Sequence, residues 1–133
     1  MNNGRLSIST KIYDEEEINS SFDAKIVLAA LSAEIQYEDG DALSSVCVDS
    51  NGVKISRKGE YTMELNLQEG ETTISRLGFG GSIGKIPTYT EKISYSLTGN
   101  SILLSLKYAL KFSEDEIQKM KIRLMARIIS EEK

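Results

Sequence analysis

The stretch Ser101-Ile102-Leu103-Leu104-Ser105-Leu106-Lys107-Tyr108-Ala109-Leu110-Lys111-Phe112 decides the class of fold. Ile102, Leu104, Leu106, Tyr108, Leu110 and Phe112 share one phase, and Ser101, Ser105, Lys107 and Lys111 share the other. A period of two puts successive side chains on opposite faces of a strand, so this stretch predicts a half-buried strand. Twelve residues at ~3.3 Å each give ~40 Å, long enough to bend around a barrel.

The same period recurs along the chain. Leu6, Ile8, Thr10 and Ile12 alternate with Arg5, Ser7, Ser9 and Lys11; Val53, Ile55 and Arg57 alternate with Lys54, Ser56 and Lys58. Tyr61, Met63, Leu65 and Leu67 alternate with Thr62, Glu64, Asn66 and Gln68. Turn signals separate the runs: Glu38-Asp39-Gly40-Asp41, Asp49-Ser50-Asn51-Gly52, Gln68-Glu69-Gly70-Glu71 and Thr98-Gly99-Asn100. Short turns make neighbouring strands antiparallel, and such strands bury their apolar faces by stacking as a sandwich or closing into a meander barrel. Closure also removes the exposed edges.

Two segments carry two readings. Phe22 to Leu31 is Ala-rich and continuously apolar, compatible with a short helix. Ser113-Glu114-Asp115-Glu116 forms a capping box, after which Ile117, Met120, Leu124, Met125 and Ile128 fall at helical spacing. Yet Met120, Ile122, Leu124, Ala126 and Ile128 also alternate with Lys119, Lys121, Arg123 and Arg127.

A chain of 133 residues is one domain's worth of material, taken as 1–133. Sixteen Lys plus Arg against twenty Asp plus Glu give a net charge of −4, which argues against a general grip on nucleic acid or anionic lipid; nucleic-acid binding needs a local basic patch. No apolar stretch approaches transmembrane length and no signal-peptide core follows Met1, so a cytoplasmic protein without membrane contact is expected. The lone Cys47, in the apolar run Ser45-Val46-Cys47-Val48, reads as a buried, unreactive thiol in a reducing compartment. The chain has no histidine, which removes Ser-His and Cys-His nucleophile pairs, His-dependent zinc sites and the commonest neutral-pH base.

The segment Ile35-Gln36-Tyr37-Glu38, a turn, Val46-Cys47-Val48 and then Gly52 to Gly59, ending in Arg57-Lys58-Gly59, resembles the YwiB-like family of uncharacterised bacterial proteins. The resemblance runs over nearly the whole chain. It departs at Thr88-Tyr89-Thr90-Glu91-Lys92, where members often carry a Pro-Gly-containing turn. It implies an all-β fold, a single antiparallel meander β-barrel of about eight to ten strands, calycin-like or lipocalin-like, with strands at Thr72 to Phe79, Tyr89 to Leu97 and Met120 to Ile129. It implies no established activity and no catalytic residues.

Candidate contacts are few. Arg57 shares a phase with Val53 and Ile55, and Arg76 with Thr72 and Ile74, so either guanidinium is placed to meet a carboxylate inside a barrel or to reach water from a strand end. There are six tyrosines against three Phe and no Trp; Tyr37, Tyr61, Tyr95 and Tyr108 fall on apolar phases, as core or as the lining of a semi-polar cavity. Gly78-Phe79-Gly80-Gly81-Ser82-Ile83-Gly84-Lys85 lacks the P-loop spacing at Phe79 and Ile86 and reads as a flap or bulged corner. The acidic runs Asp14 to Glu17 and Glu114 to Glu116 read as solvated turns, and Lys119, Lys121, Arg123 and Arg127 as the wet face of a strand.

The expectation is therefore a non-enzymatic module, without cofactor or metal, that binds a small amphipathic or anionic molecule inside the barrel through Arg57, Arg76, Tyr37, Tyr61, Tyr95 and Tyr108. The alternative is an interaction or structural module with a filled barrel, a homodimer through the outward apolar residues Leu103, Met125 and Ile129.

Overall fold

The computed structural model describes residues 1–13 and 15–130, with the backbone alone at residue 130. Ten strands follow one another: β1 Asn2–Ile12, β2 Ile18–Leu28, β3 Ala33–Asp39, β4 Ala42–Asp49 and β5 Gly52–Lys58, then β6 Tyr61–Leu67, β7 Thr72–Phe79, β8 Ser82–Leu97, β9 Ser101–Lys111 and β10 Ile117–Ser130. Each pairs antiparallel with its neighbour in sequence, and β10 pairs with β1, closing the barrel. No helix among the described residues is long and apolar enough to cross a membrane.

The turns follow from their residues. Gly40 stands at φ 61° in the two-residue connection from Asp39 to Ala42, and Gly80 and Gly81 at φ 59° and 86° between Phe79 and Ser82. Left-handed backbone at such positions matches the twist of the strands that a tight hairpin joins. The glycine-rich segment is thus the tip of a hairpin rather than a flap. Between β4 and β5 the Asp49 carboxylate accepts from the Asn51 N–H at 2.8 Å, fixing an Asx turn.

Both two-way segments are strands, the first only as far as Leu28, after which Ala29 to Leu31 lead into the turn to β3. Ala24 and Ile26 are buried on β2, with Ala24 opposite Gly4 and Tyr37. On β10, Leu124 lies between Ile8 and Leu104 and is buried, while the capping-box residues form the turn from β9. The expected alternation on Ser101–Phe112 is the one observed: Ile102, Leu104, Leu106 and Tyr108 are buried. Where the chain departs from the family's pattern, β8 runs straight through with a bulge between Thr90 and Lys92, and it begins at Ser82 rather than at the expected Tyr89. Glu91 is the extra residue, and it switches the inward phase from Thr88 and Thr90 to Ile93, Tyr95 and Leu97.

The core fills one end and the middle of the barrel. Ala33, Val48, Val53, Leu67 and Ile102, at the end that carries the β2–β3, β4–β5, β6–β7 and β8–β9 turns, are all at most 5% exposed. Cys47 departs from its expected burial, because Val46 and Val48 take the inward phase. The thiol lies half-buried on the outer face between Glu34 and Lys54, and partial burial, with Glu34 nearby, pushes its pKa up.

Candidate functional site at the barrel mouth

At the opposite end, where the β3–β4, β5–β6 and β7–β8 turns lie, the packing gives out. Inward positions on the β7–β8 hairpin run from Ser75 and Thr88 outward to Leu77 and Gly84, which face each other across the strands. Gly84 carries no side chain to fill the space. The result is a cleft of about 440 Å³ with walls from Tyr61, Met63, Leu65, Leu77, Leu110 and Phe112, and with Phe79 on its rim. Phe79 and Phe112 are 66% and 43% exposed, so the mouth is apolar up to the solvent boundary.

Arg57 stands beside this cleft. On β5 it lies between Ser44 and Met63 of the flanking strands, on the inward phase, and it is half-buried. Its guanidinium carbon is 4.7 Å from the centroid of the Tyr61 ring, and Nη1 donates to Asp39 Oδ2 at 3.3 Å. Its Nε is buried and has no partner among the described residues. A buried donor left unpaired is costly, and an acceptor brought to it recovers that cost.

Tyr37 continues the same row through Ser44. Its ring packs against Phe22 at 4.9 Å between centroids. Burial pushes its hydroxyl above the ordinary tyrosine value, against the opposing pull of a hydrogen bond with Ser44. Arg57, Tyr61 and Tyr37 are therefore brought together, as the sequence places them.

Tyr108 and Tyr95 are not part of this cluster, whereas Arg76 is among the residues that line the cleft. Tyr108 is inward but only 5% exposed, and burial drives its hydroxyl pKa well up. Tyr95 is inward beyond the β8 bulge, toward the filled end, where its hydroxyl donates to the Leu31 carbonyl at 3.4 Å. Arg76 lines the cleft from an exposed position: β7 turns Thr73 and Ser75 inward and leaves Ile74, 44% exposed, on the outer phase with Arg76. The inward reading of Arg76 assumed that the apolar Ile74 marks the buried phase. The barrel instead pairs a polar arc, in which Thr88 Oγ1 donates to Ser75 Oγ at 2.8 Å in full burial.

Sequence reasoning missed Leu77, Phe79, Leu110 and Phe112 as cleft residues. They follow the inward phases of β7 and β9 to the strand ends, and only the pairing of Phe79 with Tyr61 shows that those ends meet at one mouth. Of the acidic runs, Glu15 to Glu17 and Glu114 to Glu116 are exposed, and Asp14 lies outside the described residues.

A family model described as "Domain of unknown function (DUF1934)" matches residues 6–124. The chain belongs to this family. The DUF1934 barrel is similar to the crystal structure of YwiB from Bacillus subtilis, with a TM-score of 0.79, 16% sequence identity, and coverage of 97% of this chain and 93% of that one. At that identity the likeness shows the fold, the one that the YwiB-like resemblance implies. Among curated proteins nothing matches the chain.

Proposed function

We propose that this DUF1934 chain is a non-enzymatic cytoplasmic binding protein whose ligand is a small amphipathic anion. The apolar part of the ligand enters the mouth cleft and its acid group meets Arg57. One observation carries the reading: an apolar cleft of about 440 Å³ opens beside a half-buried guanidinium with an unpaired Nε. Ligand pockets combine such walls with a few placed polar groups. The reading narrows the calycin-like expectation, since the ligand occupies one mouth rather than the length of the barrel. The cytoplasmic placement is supported by the single cysteine, which can form no internal disulfide.

Native mass spectrometry of the purified protein, set against its denatured mass, is expected to show a stoichiometric adduct lost on denaturation. With anilinonaphthalene sulfonate as probe, Leu77→Trp should block binding by filling the cleft, and Arg57→Ala should weaken it about tenfold. Equal binding by the native protein and Leu77→Trp sinks the reading.

A second reading has its own observation. Leu103 and Met125 are directly opposed on β9 and β10 and 55% and 47% exposed, an outer apolar pair of the kind that a homodimer buries. A monomeric mass in solution at high concentration, unchanged by Met125→Glu, would dispose of it.

A further inference from the structure

The net charge of −4 hides where the cations are. Strand registers place Lys11 opposite Lys121, Lys121 opposite Lys107, and Lys107 opposite Lys92, a row of four lysines across β1, β10, β9 and β8. All four are exposed, as are Lys119 and Arg123 on the same outer face. None of the six makes an ion pair among the described residues. Adjacent strands are ~4.8 Å apart, so the row packs four like charges into ~14 Å. Like charges directly opposite on a sheet destabilise it, and no ion pair among the described residues offsets that cost within the row.

Alongside the row runs a shallow groove of about 590 Å³. The Tyr13 N–H bonds to the Lys119 carbonyl, Lys119 stands opposite Ala109, and Ala109 opposite Tyr89. The small Ala109 forms the floor and two aromatic rings flank it. Tyr13 is 67% and Tyr89 47% exposed, and Lys119 Nζ lies 5.7 Å from the Tyr13 ring centroid. Among the described residues, the one carboxylate that lines the groove is Glu91, set there by the β8 bulge.

We propose that this outer face binds single-stranded nucleic acid, with phosphates along Lys11, Lys121, Lys107 and Lys92 and bases against Tyr13 and Tyr89. The lysine row alone suits any polyanion. The exposed rings select among them, because stacking on an aromatic platform needs the free π-face of an unpaired base, which a duplex keeps inside and an acidic peptide lacks. The local basic patch that nucleic-acid binding needs at this net charge is made by strand register, not by composition.

Fluorescence anisotropy of the full chain with a labelled oligouridylate of about twelve nucleotides tests this, with inorganic polyphosphate as a second ligand. The native protein should bind the oligonucleotide at low salt and lose affinity steeply as salt rises, by about 0.7 in the log–log slope per phosphate contact. Lys107→Glu and Lys121→Glu should each weaken binding about tenfold and flatten that slope, while Lys54→Glu, on a distant strand, should not. Tyr89→Ala should weaken oligonucleotide binding about tenfold and leave polyphosphate binding unchanged. Circular dichroism should show both Lys variants folded, since they relieve repulsion within the row. The proposal is overturned if the native protein does not bind at low salt, if Lys107→Glu binds as the native chain does, or if Tyr89→Ala leaves oligonucleotide binding intact. The last outcome assigns the face to an acidic partner without bases.

Discussion

The guanidinium carbon of Arg57 stands 4.7 Å from the centre of the Tyr61 ring, across the turn from β5 to β6. A cation over an aromatic face at a partly exposed site contributes about 0.5–1 kcal/mol. A double-mutant cycle with Arg57→Ala and Tyr61→Ala should return a coupling energy of that size from urea titrations. Tyr61→Phe should retain it, because the ring and not the hydroxyl supplies the attraction. Strict additivity would remove the contact from the account of how Arg57 is held at the mouth.

Leu106 and Leu103 share a strand and differ in phase: Leu106 is 1% exposed and Leu103 55%. Leu106→Ala should cost about 2–5 kcal/mol through lost transfer energy and the cavity left behind. Leu103→Ala should stay within about 0.5 kcal/mol. Chemical denaturation of the two variants side by side checks the alternation that defines the fold.

Gly4 is opposed by Ala24, and a Cβ built on it would run into the Arg127 carbonyl oxygen and the Ile26 side chain. Backbone cannot move aside as a flexible side chain does, so Gly4→Ala should cost about 1–3 kcal/mol. Gly40, at φ 61° with open space around it, should accept Asn with little loss. Thermal melts that rank Gly40→Asn below Gly4→Ala would contradict this placement of the β1–β10 contact.

Tyr108 and Tyr37 both have hydroxyl pKa values raised by burial above the ordinary value of about 10. Between the ordinary and the raised value the native chain keeps a proton that the unfolded chain has released. Stability is therefore full below about pH 10 and falls as pH climbs through that window. Urea midpoints measured up to about pH 11 should drop for the native protein and drop less for Tyr108→Phe. An equal alkaline slope in that variant would place the Tyr108 hydroxyl in water.

Much of the fold was legible because period two is a local signal. The chain from Ser101 to Phe112 reads as a strand without any partner, and Arg57, Tyr37 and Tyr61 follow from phase alone. The C-terminal segment did not read uniquely, since Met120, Leu124 and Ile128 satisfy both periods. What decides it is pairing on both sides, with Leu124 set between Leu104 and Ile8. Arg76 lines the cleft, but not from the inward phase read for it: on β7 that phase is taken by Thr73 and Ser75, whose hydroxyls bond within the wall, so polarity misreports direction. The lysine row was invisible because residues 11, 92, 107 and 121 become neighbours only through register across four strands.

Around the barrel, nine consecutive contacts join strands adjacent in sequence, and one, between β1 and β10, joins Leu6 to Ala126 across nearly the whole chain. Local hairpins close small loops, whereas this seam closes one that costs far more chain entropy. The seam should therefore be the last stretch to zip during folding and an early one to part in native fluctuations. Amide hydrogen exchange should show it as lower protection on β1 and β10 than on β4 and β5. A circular permutant that joins the seam by a linker and opens the chain at Gly80-Gly81 would move the weak line to the β7–β8 edge of the mouth.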